Sequence, residues 1–304
     1  MKSLVLSLFF LSLGQPLFAQ NSIDLFTVAW QYGFPQHYEN NLPQKARDDF
    51  WNVNLKVPIV LSETNTWYNE ISYYNFHIKG DDELPVAVNN PANLHGIIMQ
   101  TGLMHRFNEK DAMILLFVPR LMGDLRHHNP KNFQFGGIAL FERKINTSLT
   151  MRFGASFNRE LFGPFVVPLI YLNWRLSDKW YIAGLLPVYS KINYRLNDDV
   201  TLGFHHFGLV TTYHLSTENA FNDYMERRSI DFSLFARFRV AGNVHFELRT
   251  GVALGKDYLQ YGDGDKVDFG LPLINFGDNR VQKNVSFNGG PFIRGQLVYN
   301  LVLP

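Results

Sequence analysis

Six charged residues set among apolar neighbours are the first candidates for chemistry in this 304-residue chain: Arg152, Arg175, Arg237, Arg239, Glu247 and Arg249. Arg237 and Arg239 flank Phe238, and Glu247 and Arg249 flank Leu248, so each pair falls on one side of an extended strand. Fixed charges placed this way can line a pore and set its preference between anions and cations. They can equally pair with one another inside a filled barrel that they only stabilise. Leu169, Tyr171 and Phe235, large residues on the same side, strengthen that second reading.

Other chemistries find less support. Of the ten histidines, His127 and His128 fall in an expected loop, His205 and His206 face opposite sides of a strand, and His95 and His105 lie far apart along one strand. No zinc spacing results. The stretch 262–268 has the look of a calcium loop, yet counting from Asp263 the glycine position holds Asp268 and the closing glutamate position holds Ile274. His214 and Ser216 are a serine and histidine two apart, but at a strand end and without an obvious acidic third member, so no enzyme activity is expected. Gly251, Gly255, Gly262 and Gly264 open no helix, which leaves nucleotide binding unsupported. No cofactor and no metal are expected, and a net charge of +1 does not favour nucleic acid.

The charges need strands to hold them. Between 132 and 158, Phe133, Phe135, Gly137, Ala139 and Phe141 face one way and Asn132, Gln134, Gly136 and Glu142 the other. Leu149, Met151, Phe153, Ala155 and Phe157 then oppose Ser148, Thr150, Arg152, Gly154, Ser156 and Asn158. The period is 2. A turn at Lys144, Ile145 and Asn146 sets Phe141 opposite Leu149 and Ala139 opposite Met151. After Arg228 the pattern recurs: Phe232, Leu234, Ala236, Phe238 and Val240 meet Val244, Phe246, Leu248, Thr250 and Val252. Behind them Arg237 lies opposite Glu247 and Arg239 opposite His245. At mid-depth in lipid each such charge would cost up to ~2–4 kcal/mol, so the charged side belongs to a hydrated lumen. Trp174, Trp180 and Tyr299 are placed for an aromatic girdle.

Strands are expected over 25–33, 50–60, 67–78, 95–107, 112–122, 132–144, 147–158, 165–176, 179–186, 189–196, 200–214, 228–240, 243–255 and 288–302. That is an all-β, antiparallel transmembrane barrel of about fourteen strands. If 179–196 were one bent strand the count would fall to twelve. Short turns alternate with longer loops, notably 80–94 and 255–286, as they do when the short turns face the periplasm. In 158–168 the two prolines either start a strand and mark a bulge, or belong to a segment that narrows the lumen.

The N-terminus reads as a secretory signal peptide over residues 1–19: Lys2, an apolar run from Leu4 to Leu13, Pro16, and a small residue at Ala19 before the cut. The barrel domain then spans residues 20–304. With no cysteine, a lipid anchor and disulfides are excluded. Barrels of this class end on an outward apolar strand with a terminal aromatic, whereas this chain ends at Pro304.

Tyr73, Tyr74 and Asn75, then Asn158 ahead of Phe162, Gly163, Pro164 and Phe165, then Pro168, Trp174, Leu186 and Pro187, carry a resemblance. The chain resembles one of the domain-of-unknown-function families of Gram-negative outer-membrane β-barrel proteins. The resemblance implies fold and location, not activity. The expectation is therefore a porin-like, small-solute transport channel of the outer membrane with a charged lumen. The alternative is a closed structural or interaction barrel using its long loops, and a lipid-acting barrel enzyme ranks third. Expected partners are outer-membrane lipid and lipopolysaccharide, the barrel assembly machinery during insertion, and small solutes.

Overall fold

The alternating segments pair edge to edge until the first meets the last. The computed structural model describes residues 22–39, 42–80, 92–216 and 222–302. The signal peptide, Pro304 and most of the loop 80–94 lie outside these residues. Fourteen strands make the wall: β1 (Ser22–Gly33), β2 (Lys45–Lys56), β3 (Asn65–Gly80), β4 (Ala92–Arg106), β5 (Asp111–Gly123), β6 (Phe133–Lys144), β7 (Leu149–Glu160), β8 (Gly163–Arg175), β9 (Trp180–Leu186), β10 (Tyr189–Arg195), β11 (Val200–His214), β12 (Tyr224–Ala241), β13 (Val244–Tyr261) and β14 (Pro291–Val302). Each pairs antiparallel with its neighbour in sequence, and β1 pairs with both β2 and β14, which closes the barrel. No helix among the described residues is long and apolar enough to cross a membrane, so the crossing is made by strands.

Five of the six short turns share one device. Asn108, Asn146 and Asn197 accept backbone N–H bonds on their side-chain oxygens from Lys110 and Asp111, from Ser148, and from Asp199 and Val200, at 2.8–3.0 Å. Ser62 and Ser177 do the same with their hydroxyls. Such residues mimic a backbone turn. The sixth turn uses Gly242 in the left-handed region, φ 51°. One expected register is corrected here. Asn146 builds a longer turn than three residues, so Phe141 opposes Phe153 and Ala139 opposes Ala155. The slip is even, and every side chain keeps its face.

Outside, the wall is apolar: Trp51, Phe117, Phe135, Phe157, Ile170, Leu234, Leu248 and Leu297 are exposed. Trp174, Trp180 and Tyr299 stand exposed near the short-turn end. Inside, the two ends differ. At the short-turn end the lumen is lined by charged and amide side chains. At the other end the ends of β11, β12 and β13 turn into the barrel, where His214 of β11 bridges to Gly123 of β5. Consecutive residues there are buried on both faces, Thr211 and Thr212 at 0% exposure and Glu226 at 0%.

One face of this inward sheet carries Tyr213, Met225 and Tyr258, packed with Phe50, Phe76, Ile78, Leu94 and Met122 of β2 to β5. The other carries Tyr224, Leu259 and Tyr261, packed with Phe162, Phe165 and Val167 around β8. Charged ties fix it to the wall. Arg120 reaches Glu160 at 2.9 Å, Glu160 accepts from the Thr212 amide and hydroxyl at 3.0 and 2.7 Å, and Lys256 and Tyr258 hold Asp48 at 2.5 and 2.7 Å.

The wall is low where β9 and β10 meet. Each has seven residues, against thirteen in β8 and fifteen in β11. Above Leu186, β8 has no wall partner on that side. Pro164 and Pro168 fall on this stretch, where sheets tolerate proline. Its gap is covered by a hairpin, Phe269–Leu271 with Ile274–Phe276, from the long loop after β13, through Phe165 beside Gly270. Asp278 anchors that loop, and the hydrogen bond from Arg280 holds its carboxyl down at about 2.

Candidate functional site

The chemistry gathers on β1, β10, β12, β13 and β14 in the short-turn half of the lumen. Alternation puts Arg237, Glu247 and Arg249 on the inner face, with Arg237 opposite Glu247 as expected. Glu247, at 0% exposure, is the hub. Its Oε1 accepts from Arg249 Nε at 2.6 Å, its Oε2 from Arg237 Nε at 2.9 Å, and Lys191 Nζ donates to both oxygens at 3.1 and 2.9 Å. The two remaining nitrogens of Arg237 clamp Asp24 at 3.1 and 2.6 Å, and Asn300 donates to the same carboxylate at 2.7 Å. A β-bulge between Asp24 and Phe26 accompanies this placement. Charge-assisted, forked bonds of this kind fix side-chain positions firmly.

Arg152 stands in a second group. Its Nε donates to Glu142 Oε2 at 2.6 Å, and its guanidinium lies 4.3 Å from the centre of the Tyr171 ring. Across the lumen Asn54 donates to Glu70 at 2.7 Å, and Tyr68 also bonds Glu70. Arg175 and Arg239 lie apart from both groups, exposed at the short-turn mouth. Arg239 donates to Asp198 O at 2.6 Å and faces Asp199 at 3.5 Å. Of the six expected residues, three therefore form one cluster, one belongs to another, and two guard the rim.

Asp24, Glu142, Lys191, His205 and Arg294 also face this interior and were not among the site residues expected from sequence. Lys191 shares its face with Tyr189 and Asn193 in a strand too short to show a clear period. Asp24 is hidden by the bulge. His205 faces inward and receives Arg249 Nη1 at 3.1–3.2 Å, while His206 faces outward against the Phe232 ring. Arg294 lies directly opposite Arg249. Arg294 falls within the strand expected over 288–302, between the outward Ile293 and Leu297.

The weaker candidates resolve differently. Ser216 donates its hydroxyl to Asp124 at 2.6 Å, and both Ser216 and His214 are buried. Asp263 is taken by Lys131 at 2.7 Å, whose hydrogen bond lowers its carboxyl below the usual range. Asp265 accepts the Gly262 amide at 2.8 Å. Among the described residues no group of histidines and acids is arranged to hold a metal ion.

A family model described as a domain of unknown function (DUF6268) matches residues 17–264. Among solved structures the chain is similar to the COG4313 outer membrane channel from Pseudomonas putida F1, with 8% identity and a TM-score of 0.45 over 91% of this chain and 94% of that one. It is also similar to the NanC porin, with 8% identity and a TM-score of 0.36 over 91% and 100%. A third is LpxR from Salmonella typhimurium, with 7% identity and a TM-score of 0.36 over 91% and 99%. No curated protein matches the chain.

Proposed function

The chain belongs to the DUF6268 family of domains of unknown function, and for this outer-membrane β-barrel we propose the role of a gated channel for small polar solutes. One observation carries the reading. Asp24 points into the barrel, is clamped by Arg237, and still keeps 31% of its side chain accessible. Charges that are both fixed and wetted are what a selective water-filled pathway requires. Arg152, Arg237, Glu247 and Arg249 bias which ions and solutes pass, while Arg175 and Arg239 act at the rim. The inward sheet of β11 to β13 is the gate in its closed position.

Export through a cleaved leader into a Gram-negative outer membrane, insertion by the barrel assembly machinery, and contact of the loops with lipopolysaccharide belong to the same proposal. The filled outer half favours one second reading, a closed structural barrel that works through its loops.

Single-channel recording in planar bilayers separates the two. Glu160→Gln weakens the tie to Thr212 and Arg120, and should raise the frequency of discrete conductance steps. Arg152→Glu with Arg237→Glu should move the reversal potential in a salt gradient toward cation preference. A Glu160→Gln barrel that is correctly folded and never conducts overturns the channel and leaves the structural role.

A further inference from the structure

We propose that Arg294, together with Arg249, forms an anion site in the middle of the lumen that takes the carboxylate of a small organic acid with an apolar or aromatic body. The proposal rests on the channel reading and names the class of solute it would pass.

Arg249 and Arg294 are directly opposite on neighbouring strands, with both side chains on the inner face. Like charges facing across a ladder destabilise it unless something lies between them. Arg249 is provided for, with Glu247 at 2.6 Å and His205 at 3.1–3.2 Å. Arg294 is not. Among the described residues its guanidinium makes no hydrogen bond and no ion pair, and its Nε is buried without a partner. Leaving such a group unsatisfied is costly. Among the described residues no acid facing this region forms an ion pair with Arg294. Asp24 and Glu247 hold Arg237, Lys191 and Arg249, and Asp231 accepts the Ser229 hydroxyl. A planar, forked donor with no acceptor matches a carboxylate from outside the chain.

The surroundings select the rest of the ligand. The Arg294 guanidinium sits 5.0 Å from the centre of the Phe50 ring. Phe50 stacks on Phe76 at 4.8 Å and on Tyr74 at 6.1 Å, with the planes within about 15° of parallel. Phe50 and Phe76 are themselves buried against the inward sheet, and the half-buried Tyr74 is the ring of the three that borders the polar lumen. A carboxylate on Arg294 would lay its apolar body against the Tyr74 ring.

Benzoate is the probe. Residues 20–304 refolded in detergent are titrated with sodium benzoate by calorimetry, and with benzyl alcohol as the neutral counterpart. Wild type should bind benzoate and not benzyl alcohol. Arg294→Gln should weaken benzoate by about ten- to a hundredfold, the change expected on losing charge-assisted hydrogen bonds. Arg294→Lys, which keeps the charge and loses the fork, should fall between them. Without benzoate Arg294→Gln should unfold at the same or a higher temperature than wild type, because it relieves the facing charges. Added benzoate should raise the midpoint of wild type most, of Arg294→Lys less and of Arg294→Gln least.

Absence of benzoate binding, or equal binding by wild type and Arg294→Gln, overturns the site. Calorimetry needs no current, so the two proposals fail separately. A barrel that binds benzoate through Arg294 and never conducts loses the channel and keeps the site. One that conducts while Arg294→Gln changes nothing loses the site and keeps the channel.

Discussion

Glu247 shows how much of this interior hangs on single side chains. Its carboxylate receives Lys191, Arg237 and Arg249 and has no exposure of its own. Removing one member of a buried ionic group leaves its partners charged and uncompensated. Glu247→Ala should therefore cost about 3–5 kcal/mol, read from the urea midpoint of the barrel in lipid vesicles. An unchanged midpoint would mean that water screens the three cations fully. The Arg237–Glu247 pairing was legible in the sequence because both residues sit in long, regular strands on either side of a tight turn. Lys191 and Asp24, two further members of the same group, were not, since one lies in a seven-residue strand and the other at a bulge.

At the scale of elements, alternation was readable wherever one face meets lipid and the other water. The strand read over 200–214 is Val200–His214 in the structure, and the proline at 187 separates two strands, which settles the count at fourteen. Strands read over 228–240 and 243–255 instead run Tyr224–Ala241 and Val244–Tyr261. The missing residues are those buried on both faces, where no period of 2 survives, and Gly255, read as a loop, is a left-handed residue beside the register shift near Arg228. The outward face allows a direct check. Leu234 is 64% exposed on the outer side of β12. Leu234→Arg should cost about 2–4 kcal/mol in a bilayer, as a charge facing lipid at mid-depth does. The same change should cost far less in a detergent micelle, where the head can reach water, and equal losses in both would place Leu234 off the lipid face.

The whole molecule is a closed cylinder with unlike halves, wet and charged at the short-turn end and packed at the other. Closure leaves no free sheet edge through most of the wall. The barrel should accordingly run faster on a gel unboiled than boiled and resist carbonate washing. Release by carbonate with no shift on heating would point to a soluble sandwich. The fold was legible because fourteen strands repeat one rule, whereas the packed half was not, because it depends on which distant segments meet.

That dependence also orders events in time. Asn300 reaches Asp24 across 276 residues of sequence, and Lys256 reaches Asp48 across 208. Contacts this far apart in the chain form slowly, since long loops must close before they repay their entropy. The inward sheet docks on β2 to β5 from one side and on β7 and β8 from the other, so both walls must stand before it has anywhere to settle. Docking of the inward sheet, and with it the expulsion of water from the outer half, is therefore expected only after both walls have formed.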